Sequence, residues 1–222
     1  MSWIVVASIS TLGSVLWVIT YGLIALRARR DRQYGMPLAA ISVNIGWELT
    51  WGFLRVPVVA GGVLLPVVVW AQRVWFLVDL VLLAQVVVYG WSARSTVAAR
   101  RRWVVTVLAW LVFGFIAQWE CAEFFEDVSG QRTAFIANGV TSLSFLLLLR
   151  RRPGLGGLSM TVAWTKMLGS AFVCFSYLWL FPMVWPQADQ TFHYVLYVTI
   201  FGLDVLYIVR LGQRRAQLRR SR

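Results

Sequence analysis

Seven apolar runs follow one another along the chain, each near the ~20 residues that a helix needs to cross a bilayer. They cover residues 4–26, 37–54, 63–91, 103–124, 133–149, 158–181 and 191–211. Pro37 suits the first turn of the second helix. Pro57 with Gly61-Gly62 predicts the turn after it, Pro153-Gly154 the turn after the fifth, and Pro182 and Pro186 the stop of the sixth. The pattern predicts an all-α polytopic membrane protein. Its seven-transmembrane-helix bundle forms a single domain over 1–222, with no room left for a soluble domain.

The polar residues between the runs alternate in kind. Arginines gather after runs one, three, five and seven, and those segments hold 17 of the chain's 20 arginines. The positive-inside rule then places the N-terminus outside and the C-terminus in the cytoplasm. The same clustering removes the nucleic-acid reading that a net charge of +12 invites, and the basic tail is left to touch anionic lipid. Hydrophobic residues make up 59% of the chain and there are thirteen Trp, against 45–50% apolar in a soluble domain. Met1-Ser2-Trp3 offers no basic start to a cleavable signal peptide. Cys121 and Cys174 have no metal or redox spacing. Arginine outnumbers lysine twenty to one, a bias that points to a GC-rich bacterial genome and hence a bacterial inner membrane.

Four ionisable groups fall well inside the runs: Glu48, Asp79, Lys166 and Asp204. An Asp at the centre of a membrane helix costs roughly 2.5–3.5 kcal/mol on insertion scales, so each such group is a candidate for function. The bland reading makes them packing partners, but three packing acids would need three basic partners, and Lys166 alone lies at depth. Helical spacing sets the groups on shared faces. Asn44, Trp47, Glu48 and Trp51 form a stripe on the second helix; Gln72, Trp75, Phe76 and Asp79 repeat it on the third. Asn138, Thr141, Ser142 and Phe145 align on the fifth, Lys166, Ser170 and Tyr177 on the sixth, and Tyr194, Tyr197, Phe201 and Asp204 on the seventh. At 1.5 Å per residue, Glu48 and Asp79 lie about 16 and 18 Å from the cytoplasmic ends of their helices and Asp204 about 9 Å.

Such stripes predict an inward-facing pocket for a large apolar ligand with a few polar anchors. Burial favours the neutral carboxylic acid, and a neutral acid beside an alkene or epoxide is a general acid. Asn44 can donate to the anion left behind, Asp79 can share a proton with Glu48, and Trp and Tyr faces can stabilise a carbocation. His193 reads as an interfacial residue. The acids Glu120, Glu123, Glu126 and Asp127 read as a solvated outer turn, with Glu120 the one to watch behind Trp119. The same intramembrane acids would also suit a proton-coupled transporter, although no inverted repeat of the kind carriers use is visible. A retinal-type photoreceptor would want its lysine in the last helix, whereas Lys166 is in the sixth.

Seven short helices, the Asn44-x-x-Trp47-Glu48 stretch, Trp75-x-x-x-Asp79 and Asp204 together resemble the small integral-membrane terpene cyclases. Those enzymes serve fungal meroterpenoid and indole-diterpene pathways, with a bacterial branch acting on farnesylated indoles. The resemblance implies proton-initiated, metal-independent cyclisation of a prenylated aromatic substrate with no cofactor. It carries the family's second-helix acid to Glu48 and its last-helix acid to Asp204. Length and composition favour the bacterial branch. The partners it implies are a lipophilic prenylated small molecule and membrane lipid, with no nucleic acid; it leaves the oligomeric state open.

Overall fold

In a computed structural model, residues 3–55, 65–184 and 190–221 are described, and they form seven helices and no strand. These are α1 Trp3–Asp31, α2 Leu38–Leu49, α3 Leu65–Ser92, α4 Val97–Phe124, α5 Gln131–Arg151, α6 Met160–Val184 and α7 Thr191–Arg220. Each apolar run thus becomes a helix. Among the described residues five of them, α1, α3, α4, α5 and α7, are long and apolar enough to cross a membrane. α2 has 12 residues and continues into a five-residue π turn, Thr50–Leu54. The turn predicted at Pro57 and Gly61-Gly62 lies outside the described residues, as does Pro186. Pro182 does not stop the sixth helix, because α6 runs on to Val184.

The helices outrun the apolar runs at their basic ends. α1 continues through Arg27, Arg29 and Arg30, α4 starts at Val97 and takes in Arg100, Arg101 and Arg102, and α7 winds on to Arg220. Arginine is a good helix former, and its long stem carries the charge outward to water. The end of the apolar stretch therefore marks bilayer depth and does not end the hydrogen-bond ladder. At the foot of α1, Arg27 pairs with Asp31 at 2.7 Å, and Asp31 in turn accepts from the Gly157 amide at 2.8 Å across the bundle.

α2 packs against α3, α4 and α5, while α1 runs along α6 and α7 lies against α5 and α6. A helix can sit that close to a neighbour in lipid only where small residues let backbones meet. At the α2–α4 crossing Gly46 faces Gly114, and a Cβ on either would strike the other helix's backbone. This crossing fixes the height of α2, and with it the height of Glu48 two residues on. Tyr21, Ile41, Leu82, Phe145 and Tyr207 fill the main core from five helices.

The acidic turn between α4 and α5 is not uniformly solvated, as the sequence pattern suggests. Glu120 and Glu123 are exposed, Glu123 pairing with Arg55. Asp127, by contrast, is only 5% exposed. Its carboxylate accepts from the amides of Gln131 and Thr133 and from the Thr133 hydroxyl, at 3.1, 2.9 and 2.9 Å. It thus satisfies amides of the first turn of α5 that no helix bond can reach. The capped turn clamps α2 and the π turn that follows it: Trp47 Nε1 donates to Gly130 O at 2.7 Å and Trp51 Nε1 to Thr133 Oγ1 at 3.2 Å. Gly130 adopts φ 77°, and a Cβ there would run into the Trp51 ring.

Candidate active site

Two acidic centres lie within the bundle. The first joins α1, α2 and α3. Glu48 is 2% exposed and Asp79 is fully buried, and the two carboxyls are near enough to interact electrostatically. Glu48 Oε2 and both Asp79 oxygens have no hydrogen-bond partner among the described residues. Buried polar atoms are nearly always paired, so three orphans in one place call for an explanation. Asn44 lies beside Asp79, but its amide nitrogen donates to the Tyr21 hydroxyl at 2.7 Å. Its amide oxygen accepts from Thr141 Oγ1 at 3.4 Å, which ties α5 to α2.

Tyr21 is the residue that sequence reasoning missed here. It is buried, feels both Asp79 and Glu48, and stacks edge-on against Trp17 at 5.6 Å. Its spacing from Trp17 is visible in the sequence, but an apolar run with no charge gave no reason to single it out. Just after Glu48, the π turn leaves the Gly52 carbonyl to accept from Arg73 Nε at 2.8 Å. Such turns are frequent at functional sites.

The second centre joins α5, α6 and α7. Asp204 Oδ1 pairs with Lys166 Nζ at 2.6 Å, both side chains being almost wholly buried. Lys166 also donates to Ser142 Oγ at 2.7 Å and lies 5.4 Å from the Trp17 ring centroid. Asp204 Oδ2 has no partner among the described residues. Asn138 and Ser170 hydrogen-bond one turn away at 3.1 Å.

The remaining stripe residues divide. Trp51 and Gln72 are buried, Gln72 with Oε1 unpartnered among the described residues; Trp47, Trp75 and Phe76 are half-buried. Phe76 meets Phe53 edge-on at 5.1 Å. Tyr197 faces inward against Phe135 at 4.6 Å, and Phe135 meets Tyr177 at 5.4 Å. Tyr194 and Phe201 do not turn inward as the stripe on the seventh helix suggests: they are 44% and 52% exposed. At about 100° per residue, Tyr197 and Asp204 fall within about 20° of each other while Tyr194 and Phe201 lie about 40–80° round the helix from them, so only the first two take the interior. Tyr194 and Phe201 instead line an apolar groove of about 480 Å³ between α6 and α7, shared with Met167, Ser170, Cys174 and Tyr197.

A family model for Pyr4-like transmembrane terpene cyclases matches residues 1–215. This chain belongs to that family. The cyclase is 30% identical to the terpene cyclase macJ of Penicillium terrestre over 212 residues, covering 89% of this chain and 77% of the relative. It is 24% identical to the Pyr4-family terpene cyclase mfmH of Annulohypoxylon moriforme, covering 86% and 78%. It is 23% identical to the terpene cyclase ascF of Acremonium egyptiacum, covering 88% and 76%. No solved structure matches. Membership displaces the transporter and photoreceptor alternatives: the protein is a membrane terpene cyclase acting on a lipophilic prenylated substrate. These relatives are fungal, so the arginine bias gives no ground for a bacterial inner membrane.

Proposed function

We propose that the cyclase begins ring closure by protonating the distal end of a prenylated aromatic substrate, with Glu48 as the donor. The observation that supports this most is the cluster of three buried carboxyl oxygens on Glu48 and Asp79 that, among the described residues, have neither a hydrogen-bond partner nor a basic side chain paired to them. Two carboxyls in one dry site cannot both ionise cheaply, so a proton held between them is ready for a substrate that takes it. As Glu48 loses its proton, Asn44 and the Tyr21 hydroxyl, which accepts from Asn44 and keeps its own proton to donate, can stabilise the anion.

The aromatic faces of Trp47, Trp51 and Trp75 stand on the same two helices and would stabilise a carbocation by about 0.5–2 kcal/mol each. A site closed to water keeps that cation from being quenched. Asp204 removes the last proton, which gives an isomer of the substrate with no external reagent consumed. A farnesylated indole is the substrate class we favour, on the strength of the motif resemblance. All seven helices cross the membrane in this reading, with the N-terminus outside and the C-terminus cytoplasmic.

The test uses membranes that hold the full chain, a farnesylated indole and mass spectrometry. A cyclised isomer of unchanged mass is expected from the wild type and none from Glu48→Gln at equal protein abundance. Full turnover by Glu48→Gln would refute Glu48 as the donor.

A further inference from the structure

The reaction as proposed uses three acids, but it leaves the chain's single lysine without a role. Lys166 is buried at 1% exposure, far from any solvent that would hydrate its charge. Its contacts are specific. One bond goes to Asp204 Oδ1 at 2.6 Å, a second to Ser142 Oγ at 2.7 Å, and the Trp17 ring lies beside it. Such a pair occupies one carboxylate oxygen of Asp204 and leaves the other, Oδ2, buried and without a partner among the described residues.

The first acidic centre has the opposite make-up. Glu48 and Asp79 interact with each other, with Tyr21 and with Asn44, and among the described residues neither forms an ion pair. An acid beside a cation favours its charged form, and an acid beside another acid its neutral form. The two centres are therefore equipped for opposite halves of a proton transfer. The second centre also borders the groove between α6 and α7. Cys174 lines that groove and interacts electrostatically with both Asp204 and Lys166.

We propose that Lys166 is a positioning residue that holds Asp204 as a carboxylate with Oδ2 aimed as the base, so that a single ring-bearing product forms. This rests on the cyclase reading above, and it names what ends the reaction and sets the position of the last double bond. In the closing step the C–H bond next to the final carbocation breaks. Its electron pair becomes the new C=C bond, and the proton goes to Asp204 Oδ2. Once the product leaves and water reaches the two centres, Asp204 gives up that proton and Glu48 takes one, so substrate and product keep the same mass. A base fixed by two hydrogen bonds on its partner reaches one C–H; a base free to rotate, or absent, leaves the cation to several exits.

The experiment compares wild type, Lys166→Met, Asp204→Asn and the double variant in membranes, in deuterated buffer, with a farnesylated indole. Each is normalised to folded protein by thermal unfolding in detergent. Deuterium in the product reports initiation, and the distribution of alkene isomers and water-trapped alcohols reports termination. Lys166→Met is expected to keep deuterium uptake while the native isomer's share falls at least fivefold. The double variant removes both charges, so it is expected to fold even where a single variant does not, and to match the product profile of Asp204→Asn.

A native profile at the wild-type rate from Lys166→Met would overturn the proposal. So would loss of deuterium uptake in folded Lys166→Met, since that places Lys166 at initiation. A double variant that folds and gives the native isomer, that loses more than Asp204→Asn by the full factor of Lys166→Met, or that fails to fold would also overturn it. Glu48→Gln separates the two ideas: turnover there refutes the donor, whereas an unaltered isomer profile in Lys166→Met refutes the positioning role alone.

Discussion

The two buried acidic centres differ chiefly in what each carboxyl touches. Between α2 and α3, Glu48 and Asp79 have each other and three oxygens with no partner among the described residues. Between α6 and α7, Asp204 has an ammonium group at 2.6 Å. Both centres are equally hidden from water, so burial does not distinguish them. The partner does. A carboxyl without a cation is tolerated in a membrane by staying neutral, and it can be replaced by a neutral isostere at little cost to the fold. A carboxyl that pairs a lysine cannot, because its loss strands the other charge. Function and stability should therefore separate at the first centre and travel together at the second.

The sharpest way to break this contrast is Glu48→Gln. Turnover of a farnesylated indole should fall by about 10²- to 10⁴-fold, the usual worth of a positioned general acid, while thermal unfolding in detergent moves by less than ~1 kcal/mol. A large loss of stability would mean that Glu48 has a structural cation after all. Asp204→Asn should behave in the other way. Removing one partner of a buried ion pair costs about 3–5 kcal/mol, read as a lower unfolding midpoint. Unchanged stability would show that the pair with Lys166 holds no charge.

Smaller effects sharpen the setting of the first centre. Gly114→Ala puts a methyl group against the backbone of α2 at Ser42. Overpacking of that kind costs about 1–3 kcal/mol, and the shift of α2 should lower turnover because Glu48 rides on it. Asp127→Ala strips the cap from α5 and leaves the Thr133 amide buried without its acceptor. That should cost about 1–3 kcal/mol, and hydrogen exchange should rise first at the start of α5. An equal rise throughout the bundle would place Asp127 in a different cooperative unit.

Much of this was legible in the sequence. Runs of apolar residues must become helices in a bilayer, since no other open chain segment satisfies its own backbone there. The helical period alone places Asn44, Trp47, Glu48 and Trp51 on one stripe. The chain's separation of Glu48, Asp79 and Asp204 onto three helices is likewise a matter of order along the sequence. Asp127 was misjudged because four acids close together look solvated, and spacing cannot reveal that one of them folds back over the next helix's free amides. Tyr21 escaped notice because its importance lies in its neighbours from α2 and α3.

The sequence by itself determined the number of helices and the face shared by Asn44, Trp47 and Glu48, because these follow from hydrophobicity and the 3.6-residue turn. Only the tertiary structure decided which acid received the lysine. That choice depends on how α5, α6 and α7 pack around Ser142, Lys166 and Asp204. A contact between residues 38 positions apart is a property of the packed bundle, and no local pattern encodes it.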